Sequence, residues 1–288
     1  MDPTRLQGLT VPLVTPFDGQ SIDWDSFDAV LSHVVDAGVD AVFPCGTTGE
    51  VASLSTEERI AVIERAVAHV PSEMTVMAGG TGTDLADARS WLECLDESGV
   101  DVAVVTGPYF HTSNDPAGLE LFFSQLAADS PLPILLYNIP ACVGEEIPVD
   151  VVTSLAEEEA IIGLKDSSGS LDYGLDIIGR TPSEFVVLQG YDTLLLASMR
   201  TGFDGGVNAL ANVLPESYIR LVNDPDHDDA SRIHHQAISP LFAHCRRDGF
   251  APAAKAGLVS MGILSSSTVR PPLVSIAPDQ LVVDLAEL

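Results

Sequence analysis

Short apolar runs rich in Val and Ile alternate along the chain with amphipathic stretches of ten to fifteen residues, the pattern of strand and helix units in a parallel sheet. The runs predict strands at Leu9 to Val14, Ala41 to Cys45, Thr75 to Ala78, Val102 to Thr106, Ile134 to Asn138, Ile161 to Lys165, Phe185 to Gln189 and Gly206 to Ala209. Helix starts are marked by Ser55-Thr56-Glu57-Glu58 ahead of the Ile60/Val62/Ile63/Val67 face, and by Asp115-Pro116 ahead of Leu119/Phe122/Phe123. Gly38, Gly99 and Gly202 each sit where a helix ends in the left-handed conformation before the next strand. Eight such units favour an α/β fold of the closed (β/α)8 TIM-barrel type over an open sheet. The turn-rich Asn223 to Asp229 stretch, read as a solvated loop, leads to a helical appendage from Ala230 to Gly262. The expected division is a barrel over 1–222 and a C-terminal helical extension over 223–288, packed on it.

The length of 288 residues suits this, since a barrel takes roughly 250. A hydrophobic share of 46% excludes a disordered chain. Charge changes the picture more. There are 42 Asp and Glu against 13 Lys and Arg, a net charge of −29, and binding to a nucleic-acid backbone is excluded on that ground. The cations are 11 Arg and two Lys, Lys165 and Lys255. Self-repulsion of this size is relieved when salt shortens the screening length from about 10 Å at 0.1 M to about 3 Å at 1 M, so the composition reads as adaptation to a high-salt cytoplasm. Cys45, Cys94, Cys142 and Cys245 form no C-x-x-C pair and read as reduced core residues. No signal segment and no run of about 18 apolar residues is present, so a soluble cytoplasmic protein without a membrane partner is expected.

In a barrel of this type, reacting groups sit at the carboxyl ends of strands. Lys165 ends the buried run Ile161 to Leu164, where desolvation is expected to lower the ammonium's pKa toward a nucleophilic amine. The alternative is a barrel-end lysine paired with Asp166. Lys255, within Ala253 to Gly257, lacks the strand-end setting and reads as structural. The turn Gly46-Thr47-Thr48-Gly49 offers backbone N–H groups and hydroxyls to a small carboxylate. Tyr137, at the end of the fifth run, is placed to shuttle a proton with the Thr47 hydroxyl as relay, or else is a core tyrosine with its hydroxyl satisfied.

Four segments carry a resemblance: Val14-Thr15-Pro16-Phe17, Gly46 to Glu50 (GTTGE), Tyr137 to Pro140 (YNIP) and Gly163 to Gly169 (GLKDSSG). From about Leu6 to beyond Gly262 the chain resembles the dihydrodipicolinate synthase/N-acetylneuraminate lyase family of pyruvate-dependent class I aldolases. The resemblance implies Lys165 as the Schiff-base lysine and Tyr137 as the proton relay. It implies Thr47, Thr48 and neighbouring amides such as Gly46 around the pyruvate carboxylate, and main-chain contacts from Gly190 and Val207. It implies no metal, no cofactor, small-molecule partners and a homotetramer.

Departures bear on the member. Synthases carry an arginine two residues after the proline of the tyrosine motif, where this chain has Cys142, and a Tyr-Tyr pair where it has Tyr109-Phe110. Sialic acid lyases follow Gly-Tyr-Asp with glutamate and have a serine near the eighth strand, where this chain has Thr193 and Ala209. What remains is similar to the archaeal 2-keto-3-deoxygluconate aldolases, with pyruvate and a sugar-derived aldehyde as products. Asp192 and Asn208 are then candidates for substrate hydroxyls, Asp192 alternatively for a helix N-cap. The loop Tyr109 to Asn114 lacks a cation, which favours an unphosphorylated substrate, with Arg246, Arg247 and Arg270 as other candidates for a phosphate. Dihydrodipicolinate synthase, a sugar-acid dehydratase using the same imine, and a pyruvate-binding barrel without turnover are the competing readings.

Overall fold

The computed structural model describes residues 3–79, 82–110 and 115–281. The eight apolar runs form parallel strands: β1 (Gly8–Val11), β2 (Ala41–Val42), β3 (Thr75–Gly79), β4 (Val102–Thr106), β5 (Ile134–Asn138), β6 (Ile161–Asp166), β7 (Val186–Gln189) and β8 (Gly205–Val207). They close into one barrel, β1 pairing with both β8 and β2. The first two strands stop short of the expected Val14 and Cys45 because Pro12 and Pro44 have no N–H to give the ladder. A two-residue hairpin, Phe17–Asp18 with Ser21–Ile22, follows β1 and was not foreseen from the pattern.

The strand period divides the core in two. Leu135 of β5 faces the lumen with Phe43, Met77, Val104, Leu188 and Val207, while Ile134 and Leu136 face the surrounding helices. Leu6, from the 3-10 turn Pro3–Leu6, belongs to the luminal set and closes the amino-terminal end. In β6 this alternation sends Leu164 outward to the helices, which leaves Gly163 and Lys165 on the luminal side. A Cβ on Gly163 would lie 2.4 Å from the Val186 carbonyl oxygen, so only glycine lets β6 and β7 approach there.

The outer ring consists of α1 (Trp24–Ala37), α2 (Thr56–His69), α3 (Leu85–Glu97), α4 (Pro116–Ala128), α5 (Val149–Leu155), α6 (Leu171–Arg180), α7 (Leu195–Met199) and α8 (Pro215–Asn223). Ser55 and Glu58 form the expected capping box on α2, and Asp115 caps α4 with Pro116 in its first turn. Gly38, Gly99 and Gly202 have φ of 88°, 78° and 102°, as their positions after helices required.

The C-terminal helical region continues from the end of α8 through α9 (Ala230–Ile233), a π-helical stretch over His234–Ile238, α10 (Ser239–Asp248) and α11 (Phe250–Ser260). Its buried Ile238, Leu241 and Ala254 share one continuous cluster with Leu13 of the barrel. Beyond it the chain returns as a strap, residues 262–281, across the carboxyl end of β2. Cys45 and Cys245 are buried and Cys94 is half-buried, but Cys142 is exposed, so the expectation of four core thiols is corrected at that position.

Candidate active site

Lys165 and Tyr137 are direct register partners on β6 and β5, and both point into the lumen. The Lys165 Nζ lies 3.7 Å from the centroid of the Tyr137 ring and 5.1 Å from that of Phe43. The amine is 4% exposed, and among the described residues no carboxylate comes within ion-pair distance of it. The alternative pairing with Asp166 is not formed, because the Asp166 carboxylate faces the other way. It accepts from Asn138 Nδ2 at 2.8 Å, Ser168 N at 3.0 Å and Ser168 Oγ at 2.9 Å. Burial raises the Asp166 carboxyl, opposed by those hydrogen bonds. Gly190 makes room for the lysine, since a Cβ there would meet Ser167 Oγ at 2.1 Å and Lys165 Cε at 3.2 Å. The Gly190 N–H is spent on the Asp166 carbonyl at 2.7 Å.

The GTTGE segment is a tight turn after β2 in which Gly46 O accepts from the N–H groups of Gly49 and Val51. Cys45 and Glu50 bracket it, both with φ of 56°, a left-handed conformation costing of order 1–3 kcal/mol for a non-glycine residue. The strain is held by partners. Thr15 Oγ1 donates to Gly49 O at 2.8 Å. The buried Glu50 carboxylate accepts from Lys255 Nζ through one oxygen and from Arg270 N through the other, and Lys255 also donates to Thr268 O at 2.8 Å. Lys255 therefore has the structural role its sequence setting suggested, one that fastens the strap and α11 to the turn. Desolvation lowers its pKa to about 8, against the pull of Glu50.

Held in this way, the turn presents the Thr47 hydroxyl 3.3 Å from the Tyr137 hydroxyl. Thr48 is buried at its side, and Val207 closes the lumen opposite. A cavity of about 390 Å³ opens over this group, with Phe43, Gly46, Thr47 and Tyr137 at its base and Tyr109, Cys142, Pro272 and Leu273 around it. Partial desolvation in the cavity wall raises the Cys142 thiol, while the Lys165 charge pulls it down.

The two residues expected at substrate hydroxyls are both buried. Asp192 is wholly buried, and its Oδ1 accepts from Tyr218 Oη at 2.6 Å and Leu210 N at 3.1 Å. Asn208 is wholly buried as well. Tyr218 of α8 holds one oxygen of the acid from behind, while Asp192 Oδ2 and both amide atoms of Asn208 have no partner among the described residues. Burial lifts the Asp192 carboxyl to about 6 in spite of the Tyr218 hydrogen bond. The candidate phosphate ligands are also engaged elsewhere: Arg270 with Glu58 and Arg247 with Asp248, while Arg246 is exposed on α10. Of the loop expected to lack a cation, residues 111–114 lie outside the described residues. The cation that does line the cavity is Arg59 on α2, which its helical sequence setting gave no reason to single out.

A buried primary amine on an aromatic face, two touching hydroxyls and a strained turn rich in N–H groups together make a site for imine chemistry on a small keto acid. The sequence matches the Dihydrodipicolinate synthetase family over residues 5–283. It is 36% identical over 243 residues to 4-hydroxy-tetrahydrodipicolinate synthase of Methanosarcina acetivorans, covering 82% of this chain and 81% of the relative. It is 35% identical to a protein of Pyrobaculum arsenaticum named as an uncharacterized DapA-like lyase, covering 83% and 80%. Among solved structures, dihydrodipicolinate synthase from Aquifex aeolicus superposes with a TM-score of 0.85 at 33% identity, covering 95% of this chain and 94% of that one. The Escherichia coli K12 prophage protein YagE, solved in complex with pyruvate, superposes with a TM-score of 0.88 at 29% identity over the same shares. The chain belongs to the dihydrodipicolinate synthetase family and is a pyruvate-dependent class I carbon–carbon lyase.

Proposed function

We propose that this lyase acts on 2-keto-3-deoxy sugar acids, reversibly cleaving 2-keto-3-deoxygluconate or its 6-phosphate to pyruvate and glyceraldehyde or its 3-phosphate. The observation that carries the reading is the arrangement of Lys165, Tyr137 and Thr47: an amine without an acid partner among the described residues, against a tyrosine whose hydroxyl touches a threonine's. The amine attacks the C2 ketone and water leaves, giving a protonated imine that draws electrons from the C3–C4 bond. The Tyr137 oxygen takes the C4 hydroxyl proton while passing its own to Thr47, which releases its proton to water in the cavity, the source from which C3 is later protonated. The aldehyde departs, the enamine is protonated at C3, and water releases pyruvate and the free amine. Thr48 and the Gly46 turn are assigned to the carboxylate, with the Gly190 carbonyl and Val207 around the pyruvyl unit.

Cys142 supports a sugar-acid substrate, since it stands where synthases have an arginine for a second carboxylate. The names of the methanogen relatives support a second reading, condensation of pyruvate with aspartate semialdehyde. A homotetramer is the assembly we assign, supported by the exposed apolar pair Tyr109 and Phe110 beside the site, 47% and 85% exposed.

The test is borohydride reduction with pyruvate in high salt, followed by peptide mapping, with Lys165→Ala as control. An adduct on Lys165 is expected, and its absence from folded protein would overturn the aldolase reading. Product analysis then separates pyruvate plus aldehyde from a dehydrated acid, and activity with aspartate semialdehyde alone would favour the synthase.

A further inference from the structure

Among the described residues, nine of the eleven arginines are ion-paired with a carboxylate; Arg59 and Arg246 are not. In a chain with 42 acids, an arginine without one is informative. Arg246 is exposed on α10, but Arg59 lines the cavity above the imine site, together with Thr47, Tyr137, Tyr109 and Cys142. Its Nε donates to the carbonyls of Val51 at 3.1 Å and Leu54 at 3.2 Å, and its guanidinium carbon lies 6.0 Å from the Trp91 ring centroid. These contacts fix the plane of the fork and leave both terminal nitrogens without a partner among the described residues. The acid in the same cavity wall, Glu50, is already held by Lys255 and Arg270 and does not neutralise Arg59.

A preorganised guanidinium with two open nitrogens matches the bidentate geometry of a carboxylate or a phosphate monoester. Lys165, Thr47 and Tyr137 already serve the pyruvyl end of the substrate, so an anion at Arg59 belongs to its opposite end. We infer that Arg59 is a specificity-determining residue that binds an anionic group on the aldehyde, remote from the carbon–carbon bond being made or broken. The proposal rests on the aldolase reading above and deepens it. It reverses the preference for a neutral aldehyde drawn from the loop after the fourth strand, and it gives the chain another cation for the task that Cys142 cannot perform.

The test compares wild type, Arg59→Gln and Arg59→Lys in condensation of pyruvate with glyceraldehyde 3-phosphate, aspartate semialdehyde and neutral glyceraldehyde. For Arg59→Gln, kcat/KM on an anionic aldehyde is expected to fall about 10- to 100-fold more than on glyceraldehyde, chiefly through KM. Arg59→Lys is expected to recover part of the loss, since it keeps the charge and gives up the fork. A selective loss on glyceraldehyde 3-phosphate assigns the site to a phosphate, and one on aspartate semialdehyde assigns it to a carboxylate. An equal loss on all three aldehydes, or no loss on either anion, overturns the proposal. Borohydride trapping of pyruvate on Lys165 in each variant separates failure of the aldolase reading from failure at Arg59. Where the loss falls on glyceraldehyde 3-phosphate, glycerol 3-phosphate, which carries the anion and cannot react, is expected to saturate wild type on titration and to bind Arg59→Gln more weakly, and equal binding would overturn the proposal.

Discussion

The hydroxyls of Thr47 and Tyr137 lie 3.3 Å apart although 90 residues separate them in the chain. They come from the ends of different strands, so the contact exists only once the barrel has closed. If it is the route by which a proton leaves the Tyr137 oxygen, Thr47→Val and Tyr137→Phe should each lower kcat by about 10²- to 10⁴-fold. The double variant should be little worse than the poorer single one. Trapping of pyruvate on Lys165 should survive both changes, because the amine is untouched. Additive losses in the double variant would mean that the two hydroxyls act separately.

The buried pair of Lys255 and Glu50 fastens the site turn to the strap and α11, and its two members should differ from a surface ion pair in how they respond to mutation. Lys255→Met leaves one oxygen of a buried carboxylate uncompensated and is expected to cost about 3–5 kcal/mol in denaturant unfolding at fixed salt. Adding Glu50→Gln should recover much of that loss, since the remaining amide still accepts from Arg270 N and carries no charge. A double variant as unstable as Lys255→Met alone would mean that the cost lies in packing against Phe17, whose ring centroid is 4.2 Å from the Lys255 Nζ.

The barrel and the luminal position of Lys165 were legible because each rests on local pattern. The strand period alone put Leu164 outward and Lys165 inward, and the glycines after helices carried their own backbone signal. What was missed depends on partners distant in sequence. Nothing near Asp192 announced its partner Tyr218, 26 residues further on. Arg59 sits in the acidic first turn of an amphipathic helix, where a charge ordinarily faces water, and only the bend at Val51–Ser53 brings it to the cavity. The hairpin at Phe17–Ile22 has two residues in each strand, too few for alternation to register, and its Asp18-Gly19 turn was the only available sign.

Asp192 gives a stability prediction with a definite sign. Its carboxyl stands at 3.8 in the reference state and is raised to about 6 in the fold, chiefly by burial. A raised acid binds more protons folded than unfolded, so its contribution is full below pH 3.8 and is lost as the pH climbs through about 6. At pH 8 the ionised group then costs on the order of 2–3 kcal/mol. Asp192→Asn keeps an acceptor for Tyr218 and Leu210 and should melt higher than wild type at pH 8, with the difference shrinking toward pH 4. Equal Tm differences at both values would show that titration of Asp192 has no part in stability.

The charge count makes the last prediction. Lys165 and Lys255 are 4% and 0% exposed, so the surface carries no lysine, and the 11 arginines stand against a far larger set of acids. Nine of those arginines are already committed to single carboxylates, which leaves most of the acids facing one another. Their repulsion opposes the compact state at low ionic strength and fades once screening falls to about 3 Å near 1 M salt. Tm and activity should therefore rise together between about 0.1 M and 2 M KCl, and dialysis into dilute buffer should inactivate the protein. Sodium chloride should act much as potassium chloride does if screening is the cause, whereas a Tm that is flat across this range would refute the link between the acidic surface and salt.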